Sequence, residues 1–161
     1  MPTDLDDADY RILHQLQGNA RLSNKALAER VALSASPCWR RVRELEDQGV
    51  IADYVTRLDR HQLGYRILAL ASVSLENHHT ESVAAFDGAI QTWPEVLECH
   101  KISGAYDYML KVVAEDLASY DEFISNRVLQ LSCVRELNTT FSMREMKSTT
   151  RLPLPGDTWA R

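Results

Sequence analysis

The stretch SNKALAERVALSASPCWRRVRELEDQG, residues 23–49, contains two helical patterns separated by a tight turn. Ser23 is a favourable N-cap for the first helix, which is predicted to extend to Val31. Ser36-Pro37 predicts the start of the second helix, with serine as the cap and proline at the first helical position. Two short helices joined in this way are typical of a helix-turn-helix.

The second of these helices has an apolar side and a basic side. On a helical wheel its buried stripe consists of Cys38, Val42 and Leu45. Arg40 and Arg43 lie on the opposite side, and Trp39 lies on the flank. Guanidinium groups suit guanine edges and phosphates, but they also pair with acids along a solvated helix face, here Glu44 and Asp47. The residues alone leave both interpretations open.

A further helix precedes this stretch, and a short ribbon is predicted to follow it. Leu5 to Leu16 shows helical apolar spacing behind an acid-rich start, and Gly18-Asn19 is a suitable stop. Residues 51–58 alternate roughly between apolar and polar, as a β-ribbon does. Three helices and a ribbon form a winged helix-turn-helix, whose last helix enters the major groove. Arg21 and Lys25 are then either phosphate contacts or solvated charges.

The charge distribution favours a small DNA-binding surface on an acidic protein. The 161-residue chain has a net charge of −5, whereas residues 21–43 carry six basic residues and one acid. No apolar run is long enough to span a membrane, and the first twenty residues do not resemble a secretory signal. Three widely spaced cysteines favour a reducing compartment. We therefore expect a cytoplasmic protein with no membrane partner.

The remainder of the chain predicts the order strand, helix, strand, strand, helix, strand. The predicted strands cover residues 67–75, 96–102, 106–114 and 134–146. This βαββαβ order is that of a ferredoxin-like fold, so the fold class is α+β. We expect a winged helix-turn-helix domain with its linker strand over residues 1–62, a ferredoxin-like domain over 63–150 and a tail over 151–161.

The first strand of this domain is apolar on both faces in its first half. Helices cover one face of such a sheet, and the other face meets water or a partner. A unit of this size buries too little surface to be very stable alone. We therefore expect a second subunit on the open face and a homodimer as the basic assembly.

Some residues carry metal-binding or nucleophilic groups without the partners that such chemistry needs. Cys99 and His100 are adjacent in a strand and point to opposite faces, and His78-His79 has no partner at zinc spacing. There is no phosphate loop, nucleophile elbow or carboxylate pair. We expect no catalytic residue, no metal and no cofactor. A ferredoxin-like ligand sensor or dimeric enzyme without specific DNA binding is the alternative.

Three motifs resemble those of the Lrp/AsnC family, the feast/famine regulators. The first is Leu5-Asp6-x-x-Asp9-x-x-Ile12-Leu13. The second is Leu33-Ser34-x-Ser36-Pro37-Cys38-x-x-Arg41-Val42-x-x-Leu45-Glu46-x-x-Gly49-Val50-Ile51. The third is Glu98-Cys99-His100-x-x-Ser103-Gly104-x-x-Asp107-Tyr108-x-Leu110-Lys111. The motifs occur in the family's order, and the resemblance covers residues 4 to 155.

The resemblance implies a sequence-specific transcriptional regulator that binds double-stranded DNA and is not an enzyme. Its ferredoxin-like domains pair through their sheets, the dimers commonly form octamers, and a small amino acid modulates oligomerisation and DNA affinity. The DNA-binding positions that it implies are Arg21, Ser23, Asn24, Lys25, Ser34, Ser36, Pro37, Trp39, Arg40 and Arg43.

In this family the effector binds between dimers, around the loop that joins the second and third strands. The positions implied here are Ser103, Gly104, Ala105, Tyr106, Asp107, Tyr108, Thr140, Phe141 and Ser142. Gly104 lets a ligand approach the backbone, and Asp107 can accept a hydrogen bond from an α-ammonium group. Alternatively, both residues simply form the hairpin turn. Ala105 departs from the acidic or polar residue that is common in the family, which bears on ligand preference. The ending Thr149-Thr150-Arg151-Leu152-Pro153-Leu154 resembles a subset of the family more than its leucine-responsive founder, so leucine is not assumed as the effector.

Overall fold

The computed structural model describes residues 4–155, which form two compact units. Residues 4–57 and 147–155 form a helical unit, and residues 58–146 form a sheet unit. Each unit has its own apolar core. Within residues 4–155, no helix has both the length and the apolar character needed to cross a bilayer.

The helical unit contains α1 (Asp7–Gly18), α2 (Asn24–Arg30) and α3 (Ala35–Asp47). The helix α1 begins with a capping box, in which the Asp6 side chain accepts from the Asp9 backbone and the Asp9 side chain accepts from the Asp6 backbone. The three helices enclose a core in which Ile12 and Cys38 are fully buried. The predicted buried stripe of α3 is confirmed for Cys38 and Leu45, and Val42 packs against the same core.

Two predictions about this unit are wrong. The helix α3 begins at Ala35 with Ser34 as its N-cap, so Pro37 occupies the third helical position and not the first. Proline is tolerated there because the first-turn N–H groups have no partner within the helix. Residues 51–58 form no strand, and Val55 and Leu58 are exposed. A ladder needs a neighbouring strand, and this segment pairs with none among the described residues.

The carboxyl-terminal segment, residues 147–155, returns to the helical unit. Gln17 and Leu152 exchange two hydrogen bonds: the Gln17 side-chain amide donates to the Leu152 carbonyl oxygen, and the Leu152 N–H donates to Gln17 Oε1. Arg57 donates to the Ser148 carbonyl oxygen, and Leu154 packs against the helical core. The helical unit is therefore built from both ends of the described chain.

The sheet unit contains four antiparallel strands in the order β2-β3-β1-β4. They are β1 (Ile67–Leu75), β2 (Val96–Lys101), β3 (Tyr108–Ala114) and β4 (Val134–Phe141). The helices are α4 (Thr80–Ile90) and α5 (Leu117–Phe123), and α5 continues as a π-helical turn over Ile124–Val128. This order confirms the ferredoxin-like α+β fold.

Both helices pack on one face of the sheet. Alternate residues of β1, from Ala69 to Leu75, are buried against Phe86 of α4 and Phe123 of α5. Three predicted strand ends differ from the structure, because β2 stops at Lys101, β3 starts at Tyr108 and β4 stops at Phe141. The loop between β2 and β3 therefore comprises residues 102–107, which positions the predicted effector residues at one end of the sheet.

Candidate DNA-binding surface and effector loop

One face of α3 carries polar and basic side chains that contribute nothing to the core. Ser36, Trp39, Arg40 and Arg43 recur at helical spacing and are all exposed. Ser34 and Pro37 are also exposed, at the amino-terminal end of the helix. The Ser34 side chain makes no capping hydrogen bond, so its hydroxyl is not used to start the helix. We call the set Ser36, Trp39, Arg40 and Arg43 the α3 face.

The predicted positions near α2 fall into two groups. Arg21 and Lys25 are exposed, so their charges are accessible. The side chains of Ser23 and Asn24 make hydrogen bonds within the helical unit. Ser23 Oγ accepts from the Ala26 N–H at 3.2 Å, and Asn24 Nδ2 donates to the Ala35 carbonyl oxygen at 2.8 Å. The Asn24 bond links the start of α2 to the first turn of α3 and so helps to fix the angle between the two helices.

Arg41 lies between the two exposed arginines and turns inward. Its guanidinium contacts Asp6 Oδ2 and Asp9 Oδ1, each at 2.8 Å. The pairing raises the pKa of Arg41, chiefly through the Asp9 side chain. The pKa of Asp6 lies below its ordinary value, mainly because its carboxylate accepts a hydrogen bond from the Asp9 N–H and also because it pairs with Arg41. Arg41 is thus a structural residue that joins α3 to α1.

Arg43 is held in place although it is exposed. Its Nη1 lies 3.3 Å from Glu46 Oε2, and its guanidinium carbon lies 5.9 Å from the centre of the Trp39 ring. The Tyr54 hydroxyl donates to the other oxygen of Glu46 at 3.0 Å. The sequence analysis assigned no role to Glu46, which appears only as a motif position, and did not name Tyr54. The i,i+3 spacing of Arg43 and Glu46 was the available signal, whereas Tyr54 comes from a segment that the sequence assigned to a ribbon.

The loop between β2 and β3 is tied to the end of β1. The Ile102 N–H donates to the Asp107 carbonyl oxygen at 2.8 Å, and the Asp107 N–H donates to the Val73 carbonyl oxygen at 2.9 Å. Gly104 has φ 131°, a conformation that L side chains rarely adopt. Ser103, Gly104 and Ala105 are exposed at the tip, and Tyr106 is half-buried.

The Asp107 side chain already has two partners in the described structure. One carboxylate oxygen accepts from the Leu75 N–H at 2.8 Å, and the other lies 2.7 Å from His78 Nε2. The pKa of Asp107 lies below its ordinary value, mainly because of the contact with His78 and next because of the hydrogen bond from the Leu75 N–H. The carboxylate therefore stays ionised at neutral pH. The tight-turn interpretation therefore has direct support, while each oxygen retains acceptor capacity for a ligand.

Tyr108 lies in the core and not at the surface of the loop. Its side chain is 3% exposed, and its ring centre lies 4.6 Å from that of Phe86. Its hydroxyl has no hydrogen-bond partner of ordinary geometry among residues 4–155. Burial, and then the nearby Asp87 carboxylate, raise the pKa of Tyr108 to about 12. Among the predicted loop residues, Tyr108 thus contributes mainly to packing.

The strand register keeps Thr140, Phe141 and Ser142 away from the loop within one chain. Thr140 pairs with Leu70, whereas Tyr108 at the end of the loop pairs with Val73, and β4 and β3 flank opposite sides of β1. Leu70 and Val73 are three positions apart on β1, which is about 10 Å along the strand. Ser142 is bonded still further along, at Leu68. The two parts of the predicted effector site are therefore not adjacent in a single chain.

Within residues 4–155, no three His, Cys, Asp or Glu side chains are grouped so that they could hold a metal ion.

The fold combines a helix-turn-helix that has an exposed basic face with a separate ferredoxin-like unit. The exposed basic face of the helix-turn-helix unit indicates the class of a DNA-binding protein.

The comparisons with known proteins agree with this class. Residues 5–52 match the family model described as winged helix-turn-helix DNA-binding, and residues 68–152 match the Lrp/AsnC ligand binding domain. A leucine-responsive regulatory protein of Rhizobium meliloti is 39% identical over 144 residues, which is 89% of this chain and 92% of that protein. A protein of the same name from Salmonella typhimurium is 38% identical and covers 92% of this chain and 91% of its own length.

Two solved structures have the same fold over almost the whole chain. A transcriptional regulator from Neisseria meningitidis in complex with L-Met superposes with a TM-score of 0.91 at 36% identity, covering 94% of this chain and 97% of that one. An AsnC family regulator from Agrobacterium tumefaciens gives a TM-score of 0.88 at 35% identity, covering 92% and 97%. The chain belongs to the Lrp/AsnC family. It is a DNA-binding transcriptional regulator with a ligand-binding domain, and the effectors of this family are small amino acids.

Proposed function

We propose that the α3 face enters the major groove of a specific DNA site, where Arg40 and Arg43 contact base edges. The observation that carries this proposal is that Ser36, Trp39, Arg40 and Arg43 share one exposed face opposite a buried stripe. A recognition helix needs this arrangement, since its core side must hold it while its other side reads the groove. Exposed Arg21 and Lys25, near the start of α2, are suited to phosphate contacts that set the register.

The effector in this proposal is a small amino acid bound at the β2–β3 loop. Exposed amides around Gly104 suit its carboxylate, and the ionised Asp107 suits its ammonium group. The complex of the Neisseria meningitidis relative with L-Met supports this chemical class. Because Thr140 and Ser142 lie three or more positions along β1 from the end of the loop, they would join the site from a second chain.

A site shared between chains links effector binding to assembly. A homodimer, and an octamer built from four dimers, is the assembly that we propose from the family. The effector would shift the equilibrium between assemblies of different DNA affinity, and such couplings are typically worth about 1–3 kcal/mol. We place this regulator in the cytoplasm, where its three free cysteines would stay reduced, and we propose no catalytic activity for it.

A salt-controlled titration tests this function directly. The protein is titrated on DNA from just upstream of its own gene and on unrelated DNA of equal length, with and without a pool of amino acids. We expect binding to the upstream DNA to be at least ~10³-fold tighter than to the control, and the pool to alter it. Equal and weak binding to both DNAs would overturn the DNA-recognition proposal. Specific binding that no amino acid alters would overturn the effector proposal alone.

A further inference from the structure

Four side chains form a continuous network beside the α3 face. Glu46 lies at its centre and bonds Arg43 with one carboxylate oxygen and the Tyr54 hydroxyl with the other. Arg43 in turn lies over the ring of Trp39, at a distance typical of a cation–π contact. We call Trp39, Arg43, Glu46 and Tyr54 the Glu46 network.

We propose that Glu46 is a positioning residue for DNA recognition, which holds Arg43 in one orientation on the α3 face and so increases sequence specificity. This inference rests on the proposed function of α3 and deepens it, because it assigns different tasks to two exposed arginines. Arg43 is the preorganised reader of a base edge. Arg40 reaches a base edge from a side chain that is held less firmly, so it adds affinity with less discrimination.

The two arginines differ in how firmly the structure holds them. Arg40 lies 3.8 Å from Glu44, and the two side chains are 72% and 56% exposed. The Glu46 side chain is only 27% exposed and has a second partner in Tyr54. Arg43 is 57% exposed and Arg40 is 72% exposed. An exposed pair at long distance restricts a side chain little, whereas a carboxylate that is also anchored by a tyrosine hydroxyl restricts its arginine more.

Preorganisation has a direct consequence for recognition. An arginine loses much rotamer freedom when it is fixed on a base, and a side chain that is already ordered loses less on binding. The contact with Glu46 uses Nη1, while the guanidinium carries five donors in total, so a fork remains for an acceptor in the groove. Glu46 also carries a negative charge close to the DNA, which lowers affinity for every sequence equally. Glu46 therefore favours discrimination over affinity.

The test compares Glu46→Gln with Glu44→Gln. Each substitution removes one negative charge from the same helix, but only the first breaks a two-sided network. Binding of the full-length protein to the upstream DNA and to unrelated DNA is measured over a range of salt concentrations. We expect both variants to bind unrelated DNA somewhat more tightly. We expect Glu46→Gln to lower the ratio of specific to non-specific affinity by about three- to tenfold, and Glu44→Gln to leave this ratio unchanged.

A second variant guards against a folding defect in Glu46→Gln. Tyr54→Phe removes only the hydroxyl that anchors Glu46 and leaves every charge in place, so the ratio should fall without a change in the salt dependence. Circular dichroism and the oligomer profile confirm that each variant is folded. If Glu46→Gln and Tyr54→Phe both keep the wild-type ratio, the positioning role is wrong although α3 still reads DNA. If the wild-type protein itself shows no specific binding, the proposed function has failed instead.

Discussion

The proposed DNA-binding surface and the proposed effector site of this protein are assembled in different ways. The α3 face is formed by four residues within a single helix, at positions 36 to 43. The predicted effector residues come from a loop at one end of the sheet and from a strand whose relevant positions pair further along β1. The proposed DNA-binding surface is local in the sequence, whereas the predicted effector residues are separated by the strand register within one chain. The proposed effector site would therefore need a second chain, and the proposed DNA-binding surface would not.

The largest effect that would sharpen this comparison is expected from Arg40→Ala combined with Arg43→Ala. Each bidentate contact to a base is worth about 1–3 kcal/mol, so specific binding should weaken by about 10²- to 10⁴-fold. Amino-acid binding, measured by calorimetry, should not change, because the variant leaves the sheet unit untouched. Undiminished affinity for the upstream DNA would show that the reading surface lies elsewhere.

The separation of the two cores predicts a second, smaller effect. Ile12 is fully buried in the helical core and Leu110 in the sheet core. Ile12→Ala should destabilise the helical unit by about 2–5 kcal/mol, and Leu110→Ala should do the same to the sheet unit. Hydrogen exchange followed by mass spectrometry should show faster exchange in α1–α3 for the first variant and in β1–β4 for the second. Equal changes in both units in each variant would show that the two cores unfold as one.

Substitution of two glycines of the sheet unit provides a third test, because the expected changes in the free energy of unfolding have opposite signs. Gly104 has φ 131° in the effector loop, so Gly104→Ala should destabilise the fold by about 1–3 kcal/mol and weaken amino-acid binding. Gly88 lies within α4, and an added Cβ there would meet nothing within 4 Å. Gly88→Ala should therefore stabilise the unit by about 0.5–1 kcal/mol. Urea unfolding measures both effects, and a stable Gly104→Ala variant would contradict the strained-loop geometry.

The smallest effect concerns two tyrosines, one in each unit. Burial first, and then a carboxylate, raise the pKa values of Tyr54 and Tyr108 to about 12, against an ordinary value near 10. The folded state thus holds these protons more tightly than the unfolded chain. The resulting stability is fully present below pH 10 and is lost as pH rises through 12. Burial also raises the pKa of Tyr120, so alkaline difference spectroscopy should show three late-titrating phenols, those of Tyr54, Tyr108 and Tyr120. In Glu46→Gln the Tyr54 phenol should titrate earlier and the Tyr108 phenol should not.

The elements that sequence predicted well are those in which local periodicity decides burial. The apolar stripe through Cys38 and Leu45 and the alternation along Ile67–Leu75 both place their residues as expected. Caps were harder to predict, because Ser34 and Ser36 are equally suitable by type and only the full backbone path decides between them. The alternation in residues 51–58 predicted a ribbon, but a strand also needs a partner, and periodicity says nothing about partners.

The candidate sites show the same limit. Arg40, Arg41 and Arg43 are the same residue type in one helix, and the sequence does not distinguish them. Only the structure shows that Arg41 pairs with Asp6 and Asp9 of the neighbouring helix start. The roles of Glu46 and Tyr54 depend on a contact between α3 and the segment that follows it. The distance between Asp107 and Thr140 depends on the register of three strands. Family resemblance supplied the positions of Asp107 and Thr140, whereas the distance between them and the contact with Tyr54 required the structure.

The return of residues 147–155 to the helical unit makes the sheet unit an insertion within the DNA-binding unit. Arg57 and Ser148 are bonded at the point where the chain leaves the helical unit and comes back to it. A premature stop codon after β4 would therefore leave the sheet intact and remove Leu152 and Leu154 from contact with the helices. Such truncations would thus appear as defects of DNA binding although the residues that they remove lie beyond the last strand of the sheet unit.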